Sequence, residues 1–426
     1  MKKYGEMTVA PNAIWFTSIP NSWRATKMRE LFSERNVKVS DKDYAPLSVG
    51  KMGVVPQLET AVKTDNGDNR KLICTGDFAI NSRSDRKGSC GISEYDGSCS
   101  LIITVLKPHN TLNGHFYHYL LRSHYFSEEY YRNGKGLVSD LWTTKWDEMR
   151  NIYIPVPPRS EQDQIVRYLD YKTAKIDKLI SGYKRQIELL EERKRKVEDN
   201  AIVNGIDSDV TFKETKAEWM GAVPEHWREM RTKNFFAEIN IRSENGDEPH
   251  LTMSQKFGLV TDDEYTQKRL LSEDYKGAKL CWKDDIVLNR LKAHLGVFAL
   301  SPILGVVSPD YTVIRIDKKY VLPEYALKLF RCQSFRSELT TRVRGIVEGF
   351  WRLYTEDLGA IRVCIPPIEE QKQILDCVKS KEEKINQAIT GINKQIALLQ
   401  EYRTRLISDV VTGQVDVRDE VIPEMR

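Results

Sequence analysis

Residues 157–162 read Pro157-Pro158-Arg159-Ser160-Glu161-Gln162, and residues 366–371 read Pro366-Pro367-Ile368-Glu369-Glu370-Gln371, at an offset of 209. The match continues downstream. Ile176, Ile180, Tyr183, Ile187, Leu190, Lys194, Val197 and Ala201 fall on Ile385, Ile389, Ile392, Ile396, Leu399, Arg403, Leu406 and Val410 at the same offset. The spacing of these positions alternates four and three, a heptad seam that predicts a coiled coil and not a surface helix. Each run follows a proline pair and opens with acidic residues (Glu161 and Asp163; Glu369 and Glu370) where a helix has its positive end, and each ends at a glycine, Gly205 and Gly413. A helix over 161–201 would be about 60 Å long at 1.5 Å per residue. Two seams in one chain supply each other's partner, so the chain can fold back and pair them antiparallel.

The repeat reaches further than the helices. Ile19-Pro20-Asn21-Ser22-Trp23 answers Val223-Pro224-Glu225-His226-Trp227, Gly76–Asn81 answers Asp284–Asn289, and Leu141-Trp142 answers Phe350-Trp351. Between these anchors the two interiors barely agree. Both hold short β-branched runs, Leu101–Leu106 and Tyr311–Ile316, and each run precedes a helix-like stretch, about 113–131 and 323–340. The chain therefore reads as α+β with an internal pseudo-twofold repeat: a globular domain over 1–156, a helix over 157–207, a second domain over 208–365, a second helix over 366–417 and a tail over 418–426.

Charge separates spacers from candidate readers. Residues 161–201 carry ten basic and nine acidic side chains, and 370–410 carry seven and six, so neither helix is a phosphate-binding stripe. In the globular halves basic residues concentrate where the apolar pattern breaks. Arg83, Arg86 and Lys87 lie in one loop, and Asn289, Arg290, Lys292 and His294 in its counterpart; Lys135 and Lys145 occupy a second loop, and Arg342, Arg344 and Arg352 its counterpart. Arginine to guanine and asparagine to adenine are the pairings that read base edges, while lysine mostly holds phosphate. Recurrence at equivalent places favours a DNA-binding role over ordinary exposed charge. The repeated Trp23, Trp227, Trp142 and Trp351 sit among apolar residues and read as packing.

Catalytic patterns are missing. Neither Gly50-Lys51 nor Gly134-Lys135 is followed by Ser or Thr, so there is no phosphate-cradling loop, and no methyltransferase tetrad or glycine-rich cofactor turn occurs. Asp310 and Asp317-Lys318-Lys319 imitate a nuclease signature, but a strand between the two aspartates would hold them about 23 Å apart. The seven cysteines are scattered, with no zinc spacing, and His115, His118 and His124 have no ligating neighbour at a suitable interval. No apolar run is long enough to span a membrane or serve as a signal peptide, which predicts a cytoplasmic protein without metal or cofactor of its own.

With Pro-x-x-Trp opening each half and Pro-Pro-x-x-Glu-Gln opening each helix, the layout resembles the specificity subunit of type I restriction-modification systems. Glu218-Trp219-Met220-Gly221-Ala222-Val223-Pro224-Glu225-His226-Trp227 is especially similar to that family's domain opening, although the first half, from Ala13 to Pro20, lacks the glycine. The resemblance implies a non-catalytic subunit whose two target-recognition domains each read one half of a bipartite, asymmetric double-stranded DNA site. It also implies two methyltransferase subunits docked on the helices and two restriction/translocase subunits, with S-adenosylmethionine, ATP and Mg²⁺ on those partners. The competing expectation is a coiled-coil scaffold that reads no sequence, which the near-balanced charge of residues 208–363, 24 basic and 23 acidic, favours slightly.

Overall fold

The computed structural model describes residues 2–57, 67–83, 88–109, 112–136, 142–254, 258–261, 275–345 and 351–423, with the side chain of His294 left aside. They form two units, Met1–Tyr183 with Asn393–Arg426, and Lys184–Ile392. The heptad runs are helical throughout, Arg159–Asn204 and Ile368–Val411. Each helix gives its first part to one unit and its last part to the other.

Within each unit the two helix segments run antiparallel, and one contact fixes their register twice. In the second unit Lys194 Nζ donates to Asn386 Oδ1 at 3.1 Å. In the first, Arg403 Nε lies 3.1 Å from Asp177 Oδ1. The repeat offset carries one pair onto the other, so the basic residue that interrupts both seams is the one reaching across to the facing helix. Between residues 181 and 197 the seam positions Tyr183, Ile187, Leu190, Lys194 and Val197 are half-buried, while most of their neighbours are exposed. That is the burial pattern a heptad seam demands.

The globular parts have the same topology on different sequences. A four-stranded antiparallel sheet in the first unit orders Phe32–Glu34, Ile103–Pro108, Phe78–Asn81 and Cys90–Ile92; in the second the order is Phe236–Ile239, Tyr311–Ile316, Ile286–Asn289 and Phe298–Leu300. The third strand of each is buried nearly throughout. At its start a buried aspartate accepts a backbone N–H, Asp77 from Cys74 and Asp285 from Trp282, both at 2.9 Å. Each aspartate also pairs with a guanidinium through two bonds, Asp77 with Arg35 and Asp285 with Arg315. Arg35 follows the edge strand Phe32–Glu34 while Arg315 lies within the strand Tyr311–Ile316, so the aspartate is common to both halves and its partner is not.

The helix-like stretches after the sheets are each two short helices and not one. Gly114–Arg122 and His124–Arg132 break at Ser123, and Pro323–Arg331 and Gln333–Arg342 break at Cys332, both extended with ψ of 152°. At each break the side chain caps the next helix, Ser123 receiving Phe126 N–H and Cys332 receiving Phe335 N–H.

The Pro-Pro-x-x-Glu-Gln motif is the joint between domain and rod. Gln371, wholly buried, donates to the carbonyls of Pro366 and Tyr320, each at 2.9 Å, and accepts Leu322 N–H at 2.8 Å. Gln162 repeats this with the Pro157 carbonyl and Asn113 N–H. Leu322 and Asn113 precede the first residues of the short helices, so the glutamine locks each domain onto the opening turn of its rod. The neighbouring glutamate meets the other motif: Glu370 accepts from Trp227 Nε1 at 3.0 Å and lies 2.7 Å from His226 Nε2. In the first unit Glu161 takes the Tyr4 hydroxyl instead, and Trp23 Nε1 is buried without a partner among the described residues.

The far ends of the rods close on the same tryptophans. Gly205, φ +79°, lies against Trp227, and Gly413, φ +75°, against Pro20 and Trp23, where an added Cβ would stand 2.4 Å from Pro20 Cδ. Positive φ requires glycine at both C-caps, and at Gly413 lack of room adds to it. Beyond Gly413 the tail returns to the N-terminus: Asp416 N–H donates to the Lys2 carbonyl at 2.9 Å, and Gln164 holds the Val417 and Glu420 carbonyls. Residues 418–420 are thus built into the first unit.

The joint predicts a measurable cost. Gln371→Ala should lower stability by about 2–4 kcal/mol, because it removes three hydrogen bonds and leaves the half-buried Leu322 N–H without its acceptor. Gln373→Ala, exposed two positions on, should stay within about 0.5 kcal/mol. Urea unfolding followed by circular dichroism compares the two, and equal midpoints would remove the joint from this role.

Candidate nucleic-acid interface

The two loops singled out in each half come together in the fold. In the first unit the strand Phe78–Asn81 runs into Ser82 and Arg83, and Thr144 N–H donates to the Ser82 carbonyl at 2.9 Å. Arg83 and Lys135 both pair through their backbones with Thr143. In the second unit Ile286–Asn289 runs into Arg290, whose carbonyl accepts Leu353 N–H at 3.1 Å, while Arg344 and Arg352 exchange backbone hydrogen bonds at 2.9 and 2.8 Å. Thr144 and Leu353 correspond at the repeat offset. The same backbone clasp therefore gathers Arg83, Lys135 and Lys145 in one unit and Arg290, Arg344 and Arg352 in the other.

What secures the clasp differs between the units. Tyr130 is buried in the first, its hydroxyl donating to the Thr144 carbonyl at 2.6 Å while Thr144 Oγ1 donates to the Tyr130 carbonyl at 2.9 Å. Leu339 and Leu353, both wholly buried, stand at these positions in the second. A polar latch in one half is an apolar contact in the other. Trp142 is half-buried and donates to the Tyr131 carbonyl at 2.9 Å; Trp23 and Trp227 are buried.

Each cluster also holds a carboxylate that the sequence reading passed over. Lys135 Nζ lies 3.5 Å from Glu148, and Arg344 pairs with Asp357. Both cations and both carboxylates correspond at the repeat offset, and in each half the acid follows the base by thirteen residues. That shared interval was the available signal. The Asp357 carboxylate raises the pKa of Arg344, and the guanidinium lies 5.6 Å from the Tyr354 ring centre. These contacts orient long side chains while leaving them in solvent: Lys135 is 80% exposed.

The remaining candidates divide by what they touch. Arg83, Lys145, Lys292 and Arg352 are exposed. Arg342 pairs with Glu338 along its own helix, at 2.6 and 2.9 Å. Arg290 Nε donates to the Asp310 carbonyl, and the Asn289 side-chain oxygen caps Leu291 N–H. Asn289 thus spends its acceptor on its own loop, leaving the amide donors. Arg86 and Lys87, and the His294 side chain, lie outside the described residues. Asp310 and Asp317 flank the strand Tyr311–Ile316 at its two ends. Among the described residues no group of three or more potential ligands could hold a metal ion, and no helix is long and apolar enough to cross a membrane.

No family model matches the chain. Curated proteins and solved structures do. The putative type I restriction enzyme MjaX specificity subunit of Methanocaldococcus jannaschii is 21% identical over 420 residues, 94% of this chain and 91% of that protein. The chain resembles type I specificity subunits over nearly its whole length. The EcoKI specificity subunit of Escherichia coli K12 is 22% identical, over 75% of this chain and 73% of its own. The HsdS subunit of Thermoanaerobacter tengcongensis superposes with a TM-score of 0.52 at 17% identity, covering 96% of this chain and 100% of that one. A chain from a type I R-M system, solved for its complex assembly and conformational transition, reaches 0.60 at 14% identity, covering 93% and 99%. The specificity-subunit fold thus accounts for both halves and both rods.

Proposed function

We propose that this chain is the non-catalytic DNA-reading subunit of a type I restriction-modification complex. Each unit reads one half of a bipartite, asymmetric target through its clasped loop pair, and the helical connection sets the gap between the half-sites. The observation that carries the reading is the clasp. One backbone frame is built twice, presenting Arg83, Lys135 and Lys145 in one unit and Arg290, Arg344 and Arg352 in the other, on sequences that otherwise diverge. Equal frames with unequal side chains suit two readers of unlike sequence.

Phosphate contacts hold such a complex in place, and base-edge contacts choose the sequence. The exposed Arg83 and Arg352 are the side chains best placed to reach base edges in their units; Lys135 and Arg344, each tethered to a carboxylate, exchange that partner for phosphate. The long helices carry two modification subunits, and two restriction/translocase subunits complete the assembly. S-adenosylmethionine, ATP and Mg²⁺ are then bound by those partners, and the complex works on DNA in the cytoplasm.

A single-molecule methylome of the host, with and without the gene, tests this directly. Deletion should abolish adenine methylation at one split, asymmetric motif; a methylome unchanged in a host with an active system would overturn the reading. Arg83→Ala should cost about 1–3 kcal/mol of discrimination in one half-site only, and Arg352→Ala the same in the other. Four residues inserted within 184–197 add about 6 Å of helix and should change the gap in the methylated motif with both half-sites retained. Exchanging residues 14–152 for another reader should alter one half-site, and a change in both would refute the autonomy of the domains.

A further inference from the structure

A polar pocket of about 520 Å³ opens in the first unit, where the helix Gly114–Arg122 meets the rods. Its lining draws Asp170 from one long helix, Arg403 from the other, and Tyr95, His118, Tyr119 and Arg122 from the globular part. Small-molecule sites usually hold about 300–1,000 Å³. The pocket lies away from the clasp: Ile92, on its wall, pairs with Phe78 at the start of the third sheet strand, whereas the clasp continues from Asn81 at the other end.

One wall holds a hydrogen-bond mismatch. His118 Nδ1 lies 3.2 Å from the Ile92 backbone nitrogen, and His118 Nε2 lies 3.2 Å from Arg122 Nη1. Both partners can only donate, and a neutral imidazole accepts at one nitrogen alone. Burial, with Arg122 and His115 beside it, pushes the His118 pKa down to about 4, so at neutral pH the ring carries a single proton. The sheet fixes the Ile92 N–H, which makes Nδ1 the acceptor and leaves the proton on Nε2, facing a second donor. Arg122 is anchored there by its Nη2, which donates to the Lys51 carbonyl at 2.6 Å. No carboxylate answers it among the described residues: Asp170 is taken by the Tyr119 hydroxyl at 2.6 Å, and Glu94 is exposed. Two donors aimed at one place call for an acceptor between them, and a charged oxygen is the strongest.

The second unit meets the same demand from its own side chains. At the repeat offset Leu327 stands for His118, and Lys328, standing for Tyr119, is held by Glu198 and Glu382 at 2.9 and 3.1 Å. Glu198 occupies the position of Ile407, so the acid that serves the second unit is an apolar pocket residue in the first.

We propose that this pocket binds a small phosphomonoester, one phosphate oxygen accepting from both His118 Nε2 and Arg122 Nη1 while Arg403 adds positive charge from the rod. Tyr95 and Tyr119 offer ring faces to the rest of the molecule. A ligand seated here touches the globular part and both long helices, so it braces the first domain on its mount and stabilises the folded unit by mass action. The site serves a small molecule and is separate from the loops that read DNA.

Isothermal titration calorimetry of the full chain with inorganic phosphate and with adenosine monophosphate tests the proposal. Each should bind once per chain, the nucleotide more tightly. His118→Leu, which installs the residue found in the second half, should weaken the nucleotide at least about tenfold, the worth of one charge-assisted hydrogen bond. Arg122→Gln should do the same and Arg122→Lys less, with circular dichroism unchanged in all three. No saturable binding of either probe to the unaltered chain, or a nucleotide affinity that neither His118→Leu nor Arg122→Gln changes, would overturn the site. Inorganic phosphate bound as tightly as the nucleotide would overturn the organic ligand. A backbone phosphate of DNA carries the same chemistry, so duplex binding is measured beside it: His118→Leu should leave the duplex affinity within about twofold, and a larger loss with displacement of the nucleotide by duplex would give the pocket to DNA instead.

Discussion

A buried glutamine at the first turn of each long helix is the constraint on which the rest of the structure depends. Gln162 and Gln371 hold the carbonyl of the proline that starts the rod and the backbone N–H that opens the adjoining domain's helices. An amide supplies both donor and acceptor, which no apolar residue can do, and leaving either backbone group unpaired in the interior is costly. The joint converts a flexible junction into a fixed one. A domain on a fixed mount keeps its loops in a fixed place relative to the rod.

The two motifs of the repeat have a shared physical reason. The glutamate of Pro-Pro-x-x-Glu-Gln receives the indole N–H of the Pro-x-x-Trp tryptophan in the second unit, and the same tryptophan closes over the glycine that ends the other rod. A single large side chain thus packs the end of one helix and satisfies the start of the next. In the first unit this closure draws on both ends of the chain: Tyr4 replaces the tryptophan as donor to Glu161, and the tail beyond Gly413 returns to Lys2. The repeat is kept as a set of contacts, with the residues making them free to change.

The candidate interface follows the same logic. The clasp at Ser82 and Thr144, and at Arg290 and Leu353, is a backbone contact and places no demand on side-chain identity. Tyr130 and Thr144 can secure it by hydrogen bonds, Leu339 and Leu353 by burial. Side chains on the frame can therefore vary for recognition while the frame persists. The paired carboxylates Glu148 and Asp357 orient Lys135 and Arg344 at little cost, since exposed ion pairs contribute only about 0–1 kcal/mol.

The sequence by itself determined the repeat, the rods and their seam. Heptad spacing is a local, periodic property, and the positions it named are buried or half-buried along both helices, Lys194 and Arg403 included. It also placed the basic loops, because breaks in apolar pattern are visible along the chain. Tertiary structure alone decided what meets across distance. That Gln371 binds Leu322, that Thr144 and Leu353 clasp the other loop, that Asn289 caps its own turn, and that Lys194 reaches Asn386 depend on backbone geometry between residues far apart in the chain. The break at Ser123 and Cys332 was hidden as well, since a capping side chain leaves the helical periodicity on either side intact. The two interiors, which hardly agree as sequence, agree as strand order, because a buried sheet requires apolar strands and not particular residues.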